Sequence, residues 1–140
     1  MTNWYKDRFD NEVGEFERLV DDLTANRKTD AEWDAMFNKL KKSYGKAPIK
    51  VLSDTVWAKI KNTDSWSTTT IDKLNKAISN NSASSGNRDI YKVLSEILGN
   101  KPRCPIILES KSGYTLIAGN TRLMACRLIG ISPKVVFVKE

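Results

Sequence analysis

The residues whose types and spacing could do chemistry in this sequence are Gly119, Asn120, Thr121 and Arg122, inside the string GYTLIAGNTRLMACRLIG. A strand of bulky residues, Tyr114 to Ala118, runs into Gly119, and a new helix follows from Asn120. The first N–H groups of a helix lack intrahelical acceptors and carry partial positive charge, so a phosphate or carboxylate is a natural guest there. Gly119 allows close backbone approach, Asn120 and Thr121 can donate hydrogen bonds, and Arg122 can grip a phosphate. An arginine in a first helical turn is opposed by the helix dipole, which points to a nearby carboxylate or to an anion shared with the backbone. The same spacing also suits an ordinary N-cap at Asn120 or Thr121, a glycine serving only a tight turn, and an Arg122 paired with Glu109 or Asp89. Arg127, five residues later, belongs to a different helix face.

What is missing narrows the chemistry further. The chain has no histidine, which removes the commonest general base and the Ser-His and Cys-His nucleophile pairs. Cys104 and Cys126 lack CxxC spacing, so neither a zinc site nor a disulfide framework is indicated, and both read as buried thiols. Phosphoryl transfer or hydrolysis would therefore need a magnesium ion and a carboxylate such as Glu109, Asp89 or Asp54, none of which spacing singles out.

Charge favours an anionic partner. Residues 1–47 carry nine Lys/Arg against ten Asp/Glu, a net of −1, and residues 48–140 carry fourteen against seven, a net of +7. The basic half holds the candidate residues and suits a nucleotide or DNA through attraction that specifies no sequence. Lys59, Lys61, Lys73, Lys76 and Lys92 equally suit solvated faces of ordinary elements. No apolar run reaches the length of a membrane span, and MTNWYKDRFD lacks a signal-peptide core, so the expectation is a soluble cytoplasmic protein without a membrane partner.

The elements that must position Gly119 to Arg122 can be read from periodicity. Pro105 to Val138 falls into strand, turn, strand, glycine, helix and strand, and the wholly apolar Ile106 to Leu108 suits a strand covered on both faces. Upstream, Tyr5, Phe9, Val13, Phe16, Val20 and Leu23 form one stripe of a helix from Trp4 to Leu23. The acidic residues of that helix, among them Asp7, Glu12, Glu17 and Asp22, can solubilise it, lie against the chain's own basic half, or present a phosphate-like surface to a partner. Thr29 and Glu32 form a capping-box pattern for a second helix carrying Trp33, Phe37, Leu40 and Tyr44, stopped by Gly45 and Pro48. Ile49 to Leu52 read as a strand, and Asp54 to Asn62 as a short helical piece or a second strand. Ser67, Thr68 or Thr69 should cap a helix carrying Ile71, Leu74, Ala77 and Ile78. Asn80 to Asn87 is a small-polar loop, either a lid or a linker, and Arg88 to Leu98 a helix ended by Gly99.

With flanking PIIL and KVVFV, the string around Gly119 resembles the ParB/sulfiredoxin superfamily, whose members share a glycine, an arginine three residues on and an alanine-rich helix; here these are Gly119, Arg122 and Ala125. The resemblance covers about the last forty residues and extends back to Pro48, leaving the N-terminal third outside it. It implies an α/β (α+β) fold with a small mixed sheet and packed helices over residues 48–140, preceded by a helical hairpin over residues 1–47. It also implies a phosphate pocket: ParB proteins bind a cytidine nucleotide there, sulfiredoxins ATP, and related free-serine kinases ADP, while some relatives are described as nucleases. A nucleoside triphosphate or diphosphate with magnesium, and no zinc, follows as the expected ligand of Gly119, Asn120, Thr121 and Arg122. Sulfiredoxins place a catalytic cysteine and a histidine where this chain has Asn120 and Thr121, and ParB proteins a glutamate and an arginine, so sulfiredoxin chemistry is not expected and Asn120 cannot act as a base. The alternative implied is a non-catalytic module binding DNA or a host protein, like small solitary domains of bacteriophages and mobile elements. The chain lacks room for the central DNA-reading domain and dimerising tail of ParB.

Overall fold

The computed structural model describes residues 3–24, 29–80, 90–99 and 101–140. The chain has a mixed α and β architecture: six α-helices among the described residues and one four-stranded mixed sheet. Strand β1 is Ile49–Val51, β2 Ile106–Ser110, β3 Gly113–Ala118 and β4 Lys134–Lys139, in the order β1-β4-β2-β3. β1 runs antiparallel to β4, β4 parallel to β2, and β2 antiparallel to β3 through a tight turn that Gly113 makes possible at φ 122°. Register shifts between Ile106 and Ile107, leaving Ile117 as the extra residue of a bulge at the end of β3 that leads to Gly119.

Each face of the sheet carries its own core, as the apolar run in β2 leads one to expect. Ile106 and Leu108 point to one side with Val136 and Val138, where the N-terminal helices meet them; Ile107 points to the other with Leu116 and Val135. Helix α1, Val13–Thr24, buries Phe16, Leu19 and Val20 on the first face, and α2, Asp30–Lys46, adds Leu40 and Tyr44. Burying one side chain of the size of Phe16 contributes about 1.5–3 kcal/mol, so the hairpin's stripe is a major share of that layer's stability. The second face is closed by α3, Asp54–Lys59, α5, Ile90–Leu98, and α6, Asn120–Ile129, through Trp57, Ile97, Leu123 and Cys126. Helix α4, Ile71–Asn80, lies on the same side and buries Leu74.

Local signals explain most boundaries. The Thr29–Glu32 capping box is formed, with Glu32 N–H donating to Thr29 Oγ1 (3.2 Å) and Thr29 N–H to Glu32 Oε2 (3.0 Å). Pro48 disfavours helical geometry at Ala47, which turns extended at φ −67°, ψ 133°; Gly45 itself remains inside α2. Residues 54–59 are helical under a Ser53 cap, after which Ile60 bridges to Tyr114 and Asn62 brackets Leu116 with its amide, Nδ2 donating to the carbonyl (2.9 Å) and Oδ1 accepting the N–H (2.6 Å).

Two expectations are revised. The N-terminal helix begins at Val13 after one 3-10 turn, because residues before it are extended: Tyr5 N–H donates to Pro102 O (3.1 Å) and Cys104 N–H to Tyr5 O (2.8 Å), a tertiary pairing that overrides helical periodicity. The cap of α4 is Thr70, whose Oγ1 accepts from Lys73 N–H (3.2 Å), since Ser67 and Thr68 donate their hydroxyls to Asp64 O in a preceding 3-10 turn. The expected start of α5 at Arg88 and the loop from 81 to 87 lie outside the described residues. Among the described residues no helix is long and apolar enough to cross a membrane.

Candidate functional site

The joint between β3 and α6 is held by backbone geometry before any side chain acts. Gly119 sits at φ 101°, ψ 24°, a left-handed conformation that side-chain-bearing residues adopt at a cost. A Cβ there would stand 2.7 Å from Pro105 Cβ and 2.8 Å from Pro105 Cα. The close approach that glycine permits is thus to the entry of β2, and it fixes the start of α6 against the sheet. Leu123 N–H donates to Gly119 O (3.0 Å), opening the helix. The N–H groups of Asn120, Thr121 and Arg122 then precede the first intrahelical bond, as at any helix start.

Side chains at the joint turn mostly inward. Asn120 Oδ1 lies 2.5 Å from Thr63 Oγ1. An amide oxygen only accepts, so the single hydroxyl proton of Thr63 goes to it. Thr63 Oγ1 also accepts from Ser65 N–H (3.1 Å) and lies 2.9 Å from Ser65 Oγ, while Ser65 Oγ accepts from Trp57 Nε1 (2.8 Å). The Asn120 oxygen therefore pins the start of α6 to the turn after α3. Thr121 is buried, and Arg122 is only 7% exposed.

The environment of Arg122 is the centre of the site. Its positive charge acts on Glu12, on Cys104 in the hairpin-side core and on Cys126 in the opposite core, so its field reaches both layers. Glu12 is itself 7% exposed. Arg103, in the loop before β2, reaches Glu12 Oε1 at 3.3 Å and Asp7 Oδ2 at 3.2 Å, so its guanidinium pairs directly with the carboxylate on which the charge of Arg122 acts. Burial holds the Glu12 carboxyl above its ordinary value against the pull of Arg103 and Arg122. Burial opposes ionisation of Asp7 as well, but hydrogen bonds from Asn11 (3.0 Å) and Arg8 N–H (2.8 Å) and the charge of Arg103 outweigh it and leave that carboxyl low. Burial raises the Tyr44 hydroxyl, as do the charges of Glu12 and Asp7 nearby. The thiols are pushed up by burial, Cys104 to about 11 and Cys126 to about 12, so at neutral pH both are protonated and poor nucleophiles.

The other candidates lie elsewhere. Glu109 faces Tyr114 and Lys139 in the sheet, three residues beyond Ile106 and so about 10 Å along β2 from the joint. Asp54 is exposed in the first turn of α3, and Asp89 lies outside the described residues. Arg127 stacks on Trp66, 3.8 Å from guanidinium carbon to ring centre, and donates to Trp66 O (2.6 Å); its work is to tie the 3-10 turn to α6. Among the described residues no three His, Cys, Asp or Glu side chains gather as metal ligands. On α2, Ala35, Asn38, Lys39, Lys41 and Lys42 border an open cleft of about 730 Å³ with a basic rim.

Sequence reading missed Arg103, and it placed Asp7 and Glu12 only among the acidic residues of a helix. One signal was available. Glu12 is three residues after Phe9 and four before Phe16, so it falls on the apolar stripe, where a carboxylate requires a partner. Of the acidic residues, Asp7 and Glu12 lie against the basic half, while Glu17, Asp21 and Asp22 face solvent. No protein-family model matches the chain, and no curated protein or solved structure does.

Proposed function

We propose that the chain is a small ParB/sulfiredoxin-like domain that recognises a nucleotide or other phosphate group at the joint formed by Gly119, Asn120, Thr121 and Arg122. The observation that carries this reading is the ion pair of Arg103 with the buried carboxylate of Glu12, on which the charge of Arg122 in the first turn of α6 also acts. A place that already holds one anion against a guanidinium group, in the field of a second, has the chemistry to hold another. In this reading the backbone N–H groups at the start of α6 and Arg122 take the phosphate, and Gly119 keeps the helix start in place.

Recognition without bond cleavage fits these residues. Asn120 is not a base, its oxygen is engaged by Thr63, and neither thiol is ionised. The donor set at the joint is amide, hydroxyl and guanidinium, which does not suit a resident magnesium ion, so the metal would arrive with a nucleoside triphosphate or diphosphate. Phosphoryl transfer or nuclease-type chemistry is not part of the proposal.

The test is a thermal-shift series with CTP, ATP, ADP and GTP plus magnesium on the wild type and on Arg122→Lys. A ligand at a hundred times its Kd stabilises by about 2.7 kcal/mol, and the lysine variant, which loses two-pronged binding, should lose most of that gain. No shift with any nucleotide removes the reading. The lysine-rimmed cleft on α2 favours a second one, a non-catalytic module of bacteriophage or mobile-element type that binds DNA, or a host protein, through its basic surface. Duplex binding that weakens steeply between low and high salt and is lost in Lys39→Glu/Lys42→Glu would support it.

A further inference from the structure

The segment before α1 is held in an unusual way for so short a stretch. Tyr5 pairs its backbone with Pro102 and Cys104 in a parallel bridge, and Lys6 Nζ donates to the last carbonyls of α2, those of Tyr44 (3.0 Å) and Gly45 (3.3 Å), and to Ala47 O (3.0 Å). Tyr44 Oη donates to Asp7 O (2.6 Å). These contacts are polar and several face water: Asn3, Tyr5 and Arg8 are exposed, while Trp4, Lys6 and Asp7 are half-buried. Trp4 and Phe9 pack half-buried on the cores, but no side chain of residues 3–11 is fully buried, and a segment tied largely by solvent-reachable hydrogen bonds and half-buried side chains is the kind that opens without unfolding the rest. What it delivers is two carboxylates to Arg103, whose side chain is 35% exposed and is therefore the more open of the two guanidinium groups at the site.

We infer that Asp7 and Glu12 are a built-in occupant of the phosphate site, that Arg103 is its second phosphate-binding arginine, and that residues 4–12 give way when a phosphate group binds. The inference rests on the anion reading of the joint and adds its regulation. In the closed form Arg103 is satisfied by Asp7 and Glu12; an incoming phosphate exchanges for those carboxylates, and repulsion between it and them moves the segment off Arg103. The strap thus sets a threshold, so that ligands presenting more negative charge open the site more readily than a single carboxylate does. It also accounts for a buried glutamate on an otherwise apolar stripe, whose ionised form is costly unless it has this partner.

Inorganic pyrophosphate is the probe. Its affinity is measured by calorimetry for the wild type, Glu12→Gln and Asp7→Asn/Glu12→Gln, each checked for native circular dichroism. Both variants should bind at least tenfold tighter than the wild type, and Arg103→Gln should bind at least tenfold weaker. Equal affinity in wild type and strap variants overturns the inference while leaving the anion reading intact, whereas absence of binding in every form, variants included, overturns both. A second measurement needs no variant: hydrogen exchange on the wild type should quicken at the Tyr5 and Cys104 amides when pyrophosphate is added, and unchanged or slower exchange at saturation contradicts displacement of the strap.

Discussion

Arg103 Nη1 stands 3.3 Å from Glu12 Oε1, although the two residues are 91 positions apart in the chain. That contact joins the loop before β2 to the start of α1 at the end of the sheet where α6 also begins. It turns the N-terminal segment from an appendage into a wall of the candidate site, and it places a carboxylate where a phosphate is proposed to bind.

Gly119 and Gly130 make a controlled comparison. Both have positive φ, 101° and 74°, but a Cβ at Gly119 meets Pro105 at 2.7 Å and one at Gly130 meets nothing within 4 Å. Gly130→Ala should cost only the left-handed backbone penalty of about 1–2 kcal/mol. Gly119→Ala adds a collision with backbone and ring atoms, and about 3 kcal/mol or more is expected. Urea unfolding of the two variants measures the difference; equal costs would mean that Pro105 is not the constraint.

Asn120 and Thr63 should behave as a structural pair. Removing either partner leaves a half-buried polar group short of a bond, at about 1–3 kcal/mol each. A double-mutant cycle with Asn120→Ala and Thr63→Val should give a coupling of about 0.5 kcal/mol or more. Additive losses would show that the 2.5 Å contact carries no energy, returning Asn120 to the list of free ligand-binding groups.

The two strap carboxyls should pull stability in opposite directions with pH. Glu12 has a folded value above its ordinary 4.5, so the folded state holds that proton more tightly, and the contribution is present below 4.5 and lost as pH rises through the folded value. Asp7 has a folded value below its ordinary 3.8, so its contribution is present above 3.8 and lost as pH falls through the folded value. Urea midpoints across this range should show the wild type losing ground to Glu12→Gln on going from acid to neutral pH, and gaining on Asp7→Asn. The reverse order would contradict the burial assigned to Glu12.

Much of the architecture was written locally. Thr29 and Glu32 announced α2, Ile106 to Leu108 announced a strand with cores on both sides, and the glycine between Ala118 and Asn120 announced the joint. Where the reading failed, the cause was a partner far away in sequence. Nothing near Tyr5 reveals that its backbone will pair with Pro102 and Cys104, and so the helix was extended to Trp4. Of the two carboxylates considered for Arg122, Glu109 lies about 10 Å along β2 from the joint and Asp89 lies outside the described residues, while a carboxylate on which the Arg122 charge acts, Glu12, is brought there by packing of Phe16 and Val20 on the sheet. The position of Glu12 on the apolar stripe was the one local hint, masked by the many other acidic residues around it.

The central claim, an anion site at the start of α6, is tested most directly by amide chemical-shift mapping of the full chain titrated with inorganic pyrophosphate. The largest changes are expected at the N–H groups of Gly119 to Arg122, at the side chain of Arg103 and at Tyr5 and Cys104, with little movement on α2. Changes confined to Lys39, Lys41 and Lys42, with the joint silent at saturation, would contradict the account and assign the basic cleft as the place where phosphate binds.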